Sequence, residues 1–390
     1  MADRFNRPVW RAHITPFSLE VTFPNLPVWK GTYETPGLRA CLPLRLGADG
    51  SGSVRQIADD VTRQAITAAY SEAGYSHITT LPGTSNWGRN LASRKIALID
   101  ELLGKVSGDV LDIGGGNFYL PSFLVERDRP SSYTLLEPSI AVAPTQGISV
   151  IRGYFPDSVP NFEADTVLAF GVLEHVPDPL AFLRAVNAIL SKRKNSRALL
   201  YFPTTEYQML SGDLGVLEHE HFSFFTRTSV ERLFSRAGLR PEAIIEKEHN
   251  ITARLVPCDP IVDTEESLDP FLIDSIKAFQ SSLASGKTAL EEALNQGQVA
   301  FHGANGALEK FLHVTELGNH PGIEIFDLDE KKVGRFIQSH NKAIRHTSDP
   351  EYAKMPTVFV SAMVFFEEIR ASLIKDHSRA GATIKPLFRA

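Results

Sequence analysis

The sequence predicts a doubly wound, mostly parallel α/β core with a small module before it and a second α/β domain after it. Three observations carry this. Strands alternate with helices of ten to fourteen residues from Asp109 onward, a glycine-rich turn follows a strand at two separate places, and the first 55 residues are rich in Pro, Gly and short apolar runs. At 390 residues the chain exceeds what one hydrophobic core usually organises. The expected division is 1–80, 81–257 and 258–390.

The amino-terminal stretch, with PVW twice, LEVTF and LPLRL before GADGSGS, reads as an irregular β module with turns. Ile57, Val61, Ile66 and Tyr70 then have the spacing of one buried helical face. A polar turn, LPGTSNWGRN (Leu81–Asn90), precedes a helix expected over Leu91–Gly104. DVLDIGG is a strand ending in glycines, FYLPSFLVERD a helix, and SYTLLEPS a strand ending in an acid. ADTVLAFGVLEH continues as strand, DPLAFLRAVNAILS as amphipathic helix, and SRALLYFPT as strand. The helix Ser229–Leu239 and the strand PEAIIEKEH keep the pattern. Prolines and acids at Cys258–Pro270 interrupt it, and a long helix is expected over Phe271–Leu294. QVAFHGANGALEKFL, GIEIFDLDEKKVG and TVFVSAMVFFEEIRASLI supply the second α/β domain, with GATIKPLFRA as a final strand or tail.

Forty basic against 46 acidic residues, net −6, offer no electrostatic footprint for nucleic acid. The charged start MADRFNRPVWRAH lacks the apolar region of a secretory signal, and no apolar run reaches the roughly 18 residues of a membrane span. A cytoplasmic protein with neither nucleic-acid nor membrane partners is expected. Two cysteines, Cys41 and Cys258, suit thiols in a reducing compartment and exclude a zinc site built mainly of cysteine.

Asp112-Ile-Gly-Gly-Gly-Asn117 directly follows a strand, where ligands of such sheets bind. Its glycines, Gly114 and Gly116 among them, allow a sharp turn and a close ligand. Glu137 ends the next strand and is placed to accept ribose hydroxyls. A dinucleotide fingerprint would need a third glycine where Tyr119 stands, and Asp112 would repel a pyrophosphate. A carboxylate there suits a cationic sulfonium and ammonium ligand instead.

LDIGGG at Leu111–Gly116 resembles the first motif of class I S-adenosylmethionine-dependent methyltransferases, and FGVLEHVPDP at Phe170–Pro179 resembles their fourth-strand motif. The resemblance implies a Rossmann-like methyltransferase core with S-adenosylmethionine as cofactor. Asp112, Gly114, Gly116 and Glu137 would hold it, with Gly171, Val172, Leu173 and Glu174 beside its methionyl part. Phe155, after the third strand, would line the adenine site, although an apolar residue there also serves as ordinary core. Thr84, Ser85 and Trp87 are candidates for closing the cofactor cleft.

The three-part layout resembles the sugar C-methyltransferases of antibiotic biosynthesis. LEHEHFSFFTRTSVERLF (Leu217–Phe234) is similar to that family's Y-H-E-H-L-S-Y-F-S run, which implies Glu220 and His221 as the proton-transfer pair. The family's tyrosine falls on Glu218, a departure that would reshape the acceptor pocket. Phe222 and His175 would line that pocket. The small-molecule acceptor implied is a nucleotide-linked keto-sugar methylated on carbon. O- or N-methylation of another secondary metabolite, and a non-catalytic cofactor-binding protein, are the alternatives.

The chemistry has its own logic. Sulfonium methyl transfer is a direct displacement, so the acceptor must lie in line. A carbon acceptor also needs a base for a proton alpha to a carbonyl, for which a histidine beside a carboxylate is suited. Relatives carry a zinc at P-L-x-L-x-x-C-x-x-C-G, where this chain has Ala48 and Ser51 at ligand positions, so no metal is expected. His219 and His221 alternate along the segment and could share a metal, but the sequence offers no obvious third ligand. In the carboxy-terminal domain the Gly303-Ala304-Asn305-Gly306 turn follows a strand, and Asp327 ends a later one. The family resemblance places His302 and Asn305 on the acceptor side.

Overall fold

The computed structural model describes residues 11–15, 18–28, 31–38, 41–48, 54–56, 60, 62–64, 86–116, 119–138, 146–247, 249–261, 270–375 and 381–388. The side chains of 11–19, 24, 86–89, 270–273 and 364 lie outside that description. The chain forms two compact units: residues 47–204 with 220–269, and residues 1–46 with 205–219 and 270–390.

The strands, in chain order, are β1 (Arg11–Thr15), β2 (Ser18–Pro27), β3 (Cys41–Ala48), β4 (Val54–Gln56), β5 (Asp109–Ile113), β6 (Ser132–Leu136), β7 (Ser149–Ile151), β8 (Thr166–Phe170), β9 (Arg197–Pro203), β10 (Ser223–Phe224), β11 (Leu239–Lys247), β12 (Asn250–Pro257), β13 (Val299–His302), β14 (Ile323–Asp327), β15 (Arg345–His346), β16 (Thr357–Val360) and β17 (Thr383–Pro386).

The unit containing residues 47–204 is built on a seven-stranded sheet of order β11-β12-β9-β8-β5-β6-β7. Neighbours from β9 through β7 are parallel, whereas β12 runs antiparallel to both β9 and β11. Strands covered on both faces should be continuously apolar. TVLAF of β8 is buried at all five positions, and DVLDI of β5 at its last four. The helix Pro179–Leu190 shows why DPLAFLRAVNAIL folds as it does. Asp178 caps it by accepting from the Ala181 amide at 3.0 Å, and proline opens the first turn. Phe182, Leu183, Val186, Ile189 and Leu190 then form its buried stripe against Val167, Ala169 and Leu200. Full burial of each such side chain is worth about 1.5–3 kcal/mol. The helix Arg227–Arg236 starts with a reciprocal Thr226–Ser229 capping box.

Strand order reverses at β5, which lies between β6 and β8. A crevice outside the carboxyl ends of β5 and β8 is where such a sheet takes its ligand. β4 pairs antiparallel with β10 in the same unit, Val54 opposite Phe224.

The other unit carries a second parallel sheet, β15-β14-β13-β16-β17, so GATIKPLFRA does supply a strand. The long helix spans Pro270–Gln296, and a short helix, Glu206–Ser211, packs on it, with Ser282 donating to the Leu210 carbonyl at 2.9 Å. β1 and β2 form an antiparallel hairpin. The fold class is therefore the expected one: a Rossmann-like core, a small β-containing amino-terminal module and a carboxy-terminal α/β domain. Of the helix expected near residues 59–75, residues 60 and 62–64 are helical and the rest lie outside the described residues.

Candidate active site

The heads of β5, β6 and β8 are fixed by backbone bonds. Gly114 donates to the Leu136 carbonyl at 2.8 Å, Glu137 to Ile151 at 3.1 Å, and Gly171 to Tyr201 at 2.7 Å. Gly114, Gly116 and Gly171 all have left-handed φ, +70°, +63° and +73°. A Cβ on Gly114 would meet Val172 Cγ2 at 2.5 Å, and one on Gly115 would meet Leu135 and Asp112. Two of the three glycines in the turn thus answer to packing within the fold as well as to any ligand.

Asp112, next to last in β5, is only 1% exposed. Its Oδ2 accepts from the Tyr133 hydroxyl at 2.7 Å, while Oδ1 is buried with no hydrogen-bond partner among the described residues. Burial pushes its carboxyl up to about 6, against the opposing pull of the Tyr133 hydrogen bond and of Lys95. Glu137 is buried at the head of β6, and its Oε2 accepts from the Gly116 amide at 3.0 Å. Lys95 comes from the helix Asn86–Leu103 and stands 5.5 Å from the Phe170 ring centroid and 5.7 Å from that of Tyr201. Desolvation lowers its pKa, and the charges of Asp112 and Glu174 oppose that shift.

After β8 the chain makes a single 3-10 turn, Leu173–His175. Glu174 is 3% exposed, and burial raises its carboxyl to about 8. The segment around residue 222 is strapped to this turn. Phe222 donates its amide to the Glu174 carbonyl at 2.8 Å, and its own carbonyl accepts from Gln56 N and Arg55 Nε, both at 3.1 Å. Arg55 also donates to the Pro177 carbonyl. The strap brings the His221 ring edge-on to His175, centroids 4.8 Å apart. His175 Nδ1 lies 3.1 Å from the Glu220 carbonyl.

The remaining sequence candidates have the following surroundings. Phe155 meets Phe182 edge-on at 4.9 Å and packs into the core beneath the sheet. Leu173 is core, and Val172 packs partly buried against it. Thr84, Ser85 and Ser51 lie outside the described residues; Trp87 is in the first turn of its helix and its side chain is not described, and Ala48 ends β3. In the other unit Glu218 has a partner the sequence did not suggest: Lys310, fully buried, with Nζ 2.9 Å from its Oε1. His219 is 2% exposed, with Nε2 3.0 Å from the Leu42 carbonyl, and burial lowers its pKa to about 4. His302 Nδ1 contacts the Tyr352 hydroxyl at 2.5 Å. Asn305 caps the helix Gly306–Thr315 through the Leu308 amide at 2.9 Å.

Sequence reasoning missed Lys95 and Tyr133, and it gave Glu174 a place only beside the methionyl part of the cofactor. Lys95 did leave a signal, since it shares a helical face with Ile99 and Leu102, both buried.

A cationic methyl donor fits this arrangement. Asp112 holds an unpartnered buried oxygen at the sheet head, Glu137 stands at the end of the adjacent strand, and bare backbone lies between them. Residues 87–244 match the family model described as a methyltransferase domain. The chain is similar to the ubiquinone biosynthesis O-methyltransferase of Bordetella parapertussis, 27% identical over 176 residues, 40% of this chain and 72% of that protein. Among solved structures it resembles the DhpI–SAH complex (17% identity, TM-score 0.38, 50% of this chain and 97% of that one). It also resembles CalO1, a methyltransferase in calicheamicin biosynthesis (18% identity, TM-score 0.33, 50% and 68%). The chain is an S-adenosylmethionine-dependent methyltransferase, and its methyltransferase domain lies within residues 87–244.

Proposed function

We propose that the chain methylates carbon in a small-molecule acceptor, a nucleotide-linked keto-sugar or related secondary metabolite. Asp112 and Glu137 would hold the donor's cationic and ribose ends, with Gly114, Gly116 and the Gly171–Leu173 turn beside it. S-adenosylmethionine supplies an electrophilic methyl on a sulfonium. His221 takes the acceptor's alpha proton, leaving the electron pair on carbon to form the new bond, while Glu220 and His175 fix the imidazole's surroundings. The observation that supports this most is the Phe222–Glu174 backbone bond, which holds His221 at the same end of the sheet as Asp112 and Glu137. The departures at Ala48 and Ser51 suit an amino-terminal module without zinc.

An oxygen acceptor is the second reading, favoured by the likeness to an O-methyltransferase over 176 residues. The same imidazole would then take a hydroxyl proton. An acceptor screen with labelled methyl donor, followed by NMR location of the label, separates the two. For carbon transfer the acceptor's alpha proton exchanges with solvent, and His221→Ala slows that exchange by about 100-fold or more. Unchanged exchange in the variant removes His221 from the role.

A further inference from the structure

We infer that Glu174, His175 and His221 form a binding site for a borderline divalent transition-metal ion, of the Zn²⁺ or Co²⁺ class. The inference rests on reading this end of the sheet as the acceptor's site, and it specifies what meets the acceptor there.

One carboxylate oxygen and one nitrogen from each imidazole lie within 4.8 Å of one another. That set, two histidines and a carboxylate, leaves coordination positions open for an exogenous ligand. The hydrogen bonding of His175 points the same way. Its Nδ1 sits 3.1 Å from the Glu220 carbonyl, which can only accept, so Nδ1 carries the proton. In the neutral ring the lone pair is then on Nε2, and Nε2 faces Glu174 Oε1 at 3.7 Å. That separation is too long for a hydrogen bond. The other Glu174 oxygen, Oε2, is buried with no hydrogen-bond partner among the described residues. A cation resolves this arrangement, and a ring N–H given to a backbone carbonyl is the usual outer support of a metal-binding histidine.

The three ligands come from two segments. Glu174 and His175 follow β8, and His221 precedes β10. The Phe222–Glu174 bond, with Arg55 and Gln56 on the Phe222 carbonyl, sets their separation before any ion arrives. His219, the partner suggested by its alternation with His221, belongs to another environment on the Leu42 carbonyl. With an ion bound, His221 gives its lone pair to the metal, and the acceptor proton that it takes in the ion-free site goes to water instead. An acceptor hydroxyl or enolisable carbonyl brought to the open positions would lose its proton to water more readily, as the ion stabilises the resulting oxygen charge. The electron pair left behind is the one that attacks the methyl carbon.

The test uses the full chain, stripped with chelator and titrated with Co²⁺, whose visible absorption reports imidazole and carboxylate ligation. The expected result is about one ion per chain, with Glu174→Gln, His175→Ala and His221→Ala each weakening uptake by about tenfold or more. Circular dichroism identifies any variant that fails to fold. The wild-type titration stands apart from them: no stoichiometric Co²⁺ or Zn²⁺ uptake overturns the inference, as does equal uptake by the three folded variants. Calorimetry with S-adenosylhomocysteine on the same protein keeps the two readings apart. Its uptake without Co²⁺ uptake removes the ion alone, and Co²⁺ uptake without it removes the methyl-transfer reading of the site.

Discussion

Asp112 illustrates how a binding group can be a structural burden. A carboxyl whose folded pKa is raised binds its proton more tightly when folded, so it favours the fold at low pH and opposes it as pH rises past its unfolded value. The shift from 3.8 to about 6 corresponds to about 3 kcal/mol of instability above pH 6. Asp112→Asn should therefore raise the melting temperature of the ligand-free chain at pH 7 while weakening S-adenosylhomocysteine binding, measured by thermal shift and calorimetry. A variant that melts lower and binds normally would contradict both parts. Glu218 presents the reverse case. Removing it leaves the fully buried Lys310 ammonium without its ion pair, a loss of about 3–5 kcal/mol. Glu218→Ala is expected to unfold at markedly lower urea, with Glu218→Leu/Lys310→Met recovering most of the loss.

At the scale of elements, the segment Leu217–Phe224 is positioned by its backbone and its buried histidine. His219 is held neutral by burial, with its pKa lowered to about 4. The unfolded chain takes up that proton near pH 6.5, so stability is complete above that value and declines toward pH 4. Wild-type protein should lose about 3 kcal/mol across that window from this group, and His219→Gln should flatten the profile, read from urea midpoints at several pH values. Elements of this kind divide sharply in how far the sequence reveals them. TVLAF, DPLAFLRAVNAIL and the Asp112 turn declare themselves through local pattern, because burial on both faces or along one helical stripe dictates the residue spacing. β12 does not. NITARLVP turns back antiparallel after His249, whose φ of +64° makes the corner, and it is inserted between β9 and β11, a choice made by tertiary pairing. The site divides the same way. Glu137 and His221 are legible from motifs, whereas the His175–His221 contact depends on a backbone bond from Phe222 to Glu174, and Lys95 looks like one more surface lysine until Phe170 and Tyr201 surround it.

At the scale of the molecule, no helix among the described residues is long and apolar enough to cross a membrane. A ligand that binds only the native state stabilises it by about 2.7 kcal/mol at a hundredfold excess over its dissociation constant. S-adenosylhomocysteine should thus raise hydrogen-exchange protection at Asp112–Gly116 and Leu173–His175; absence of protection at both would remove the cofactor assignment from these residues. Residues 205–219 belong to one compact unit and their immediate neighbours on both sides to the other. The hairpin β1–β2 and the chain just after it belong with residues that come far later: Asn25 of β2 is met by His313, and Val28 and Thr32 are bonded by Gln338 and Arg335. On the ribosome, where synthesis proceeds at about 5–20 residues per second, this ordering matters. The hairpin pairs early, but Thr32 and Val28 must wait for Arg335 and Gln338 to be translated before those bonds can form. The central sheet has all its strands by Pro257 and can close first.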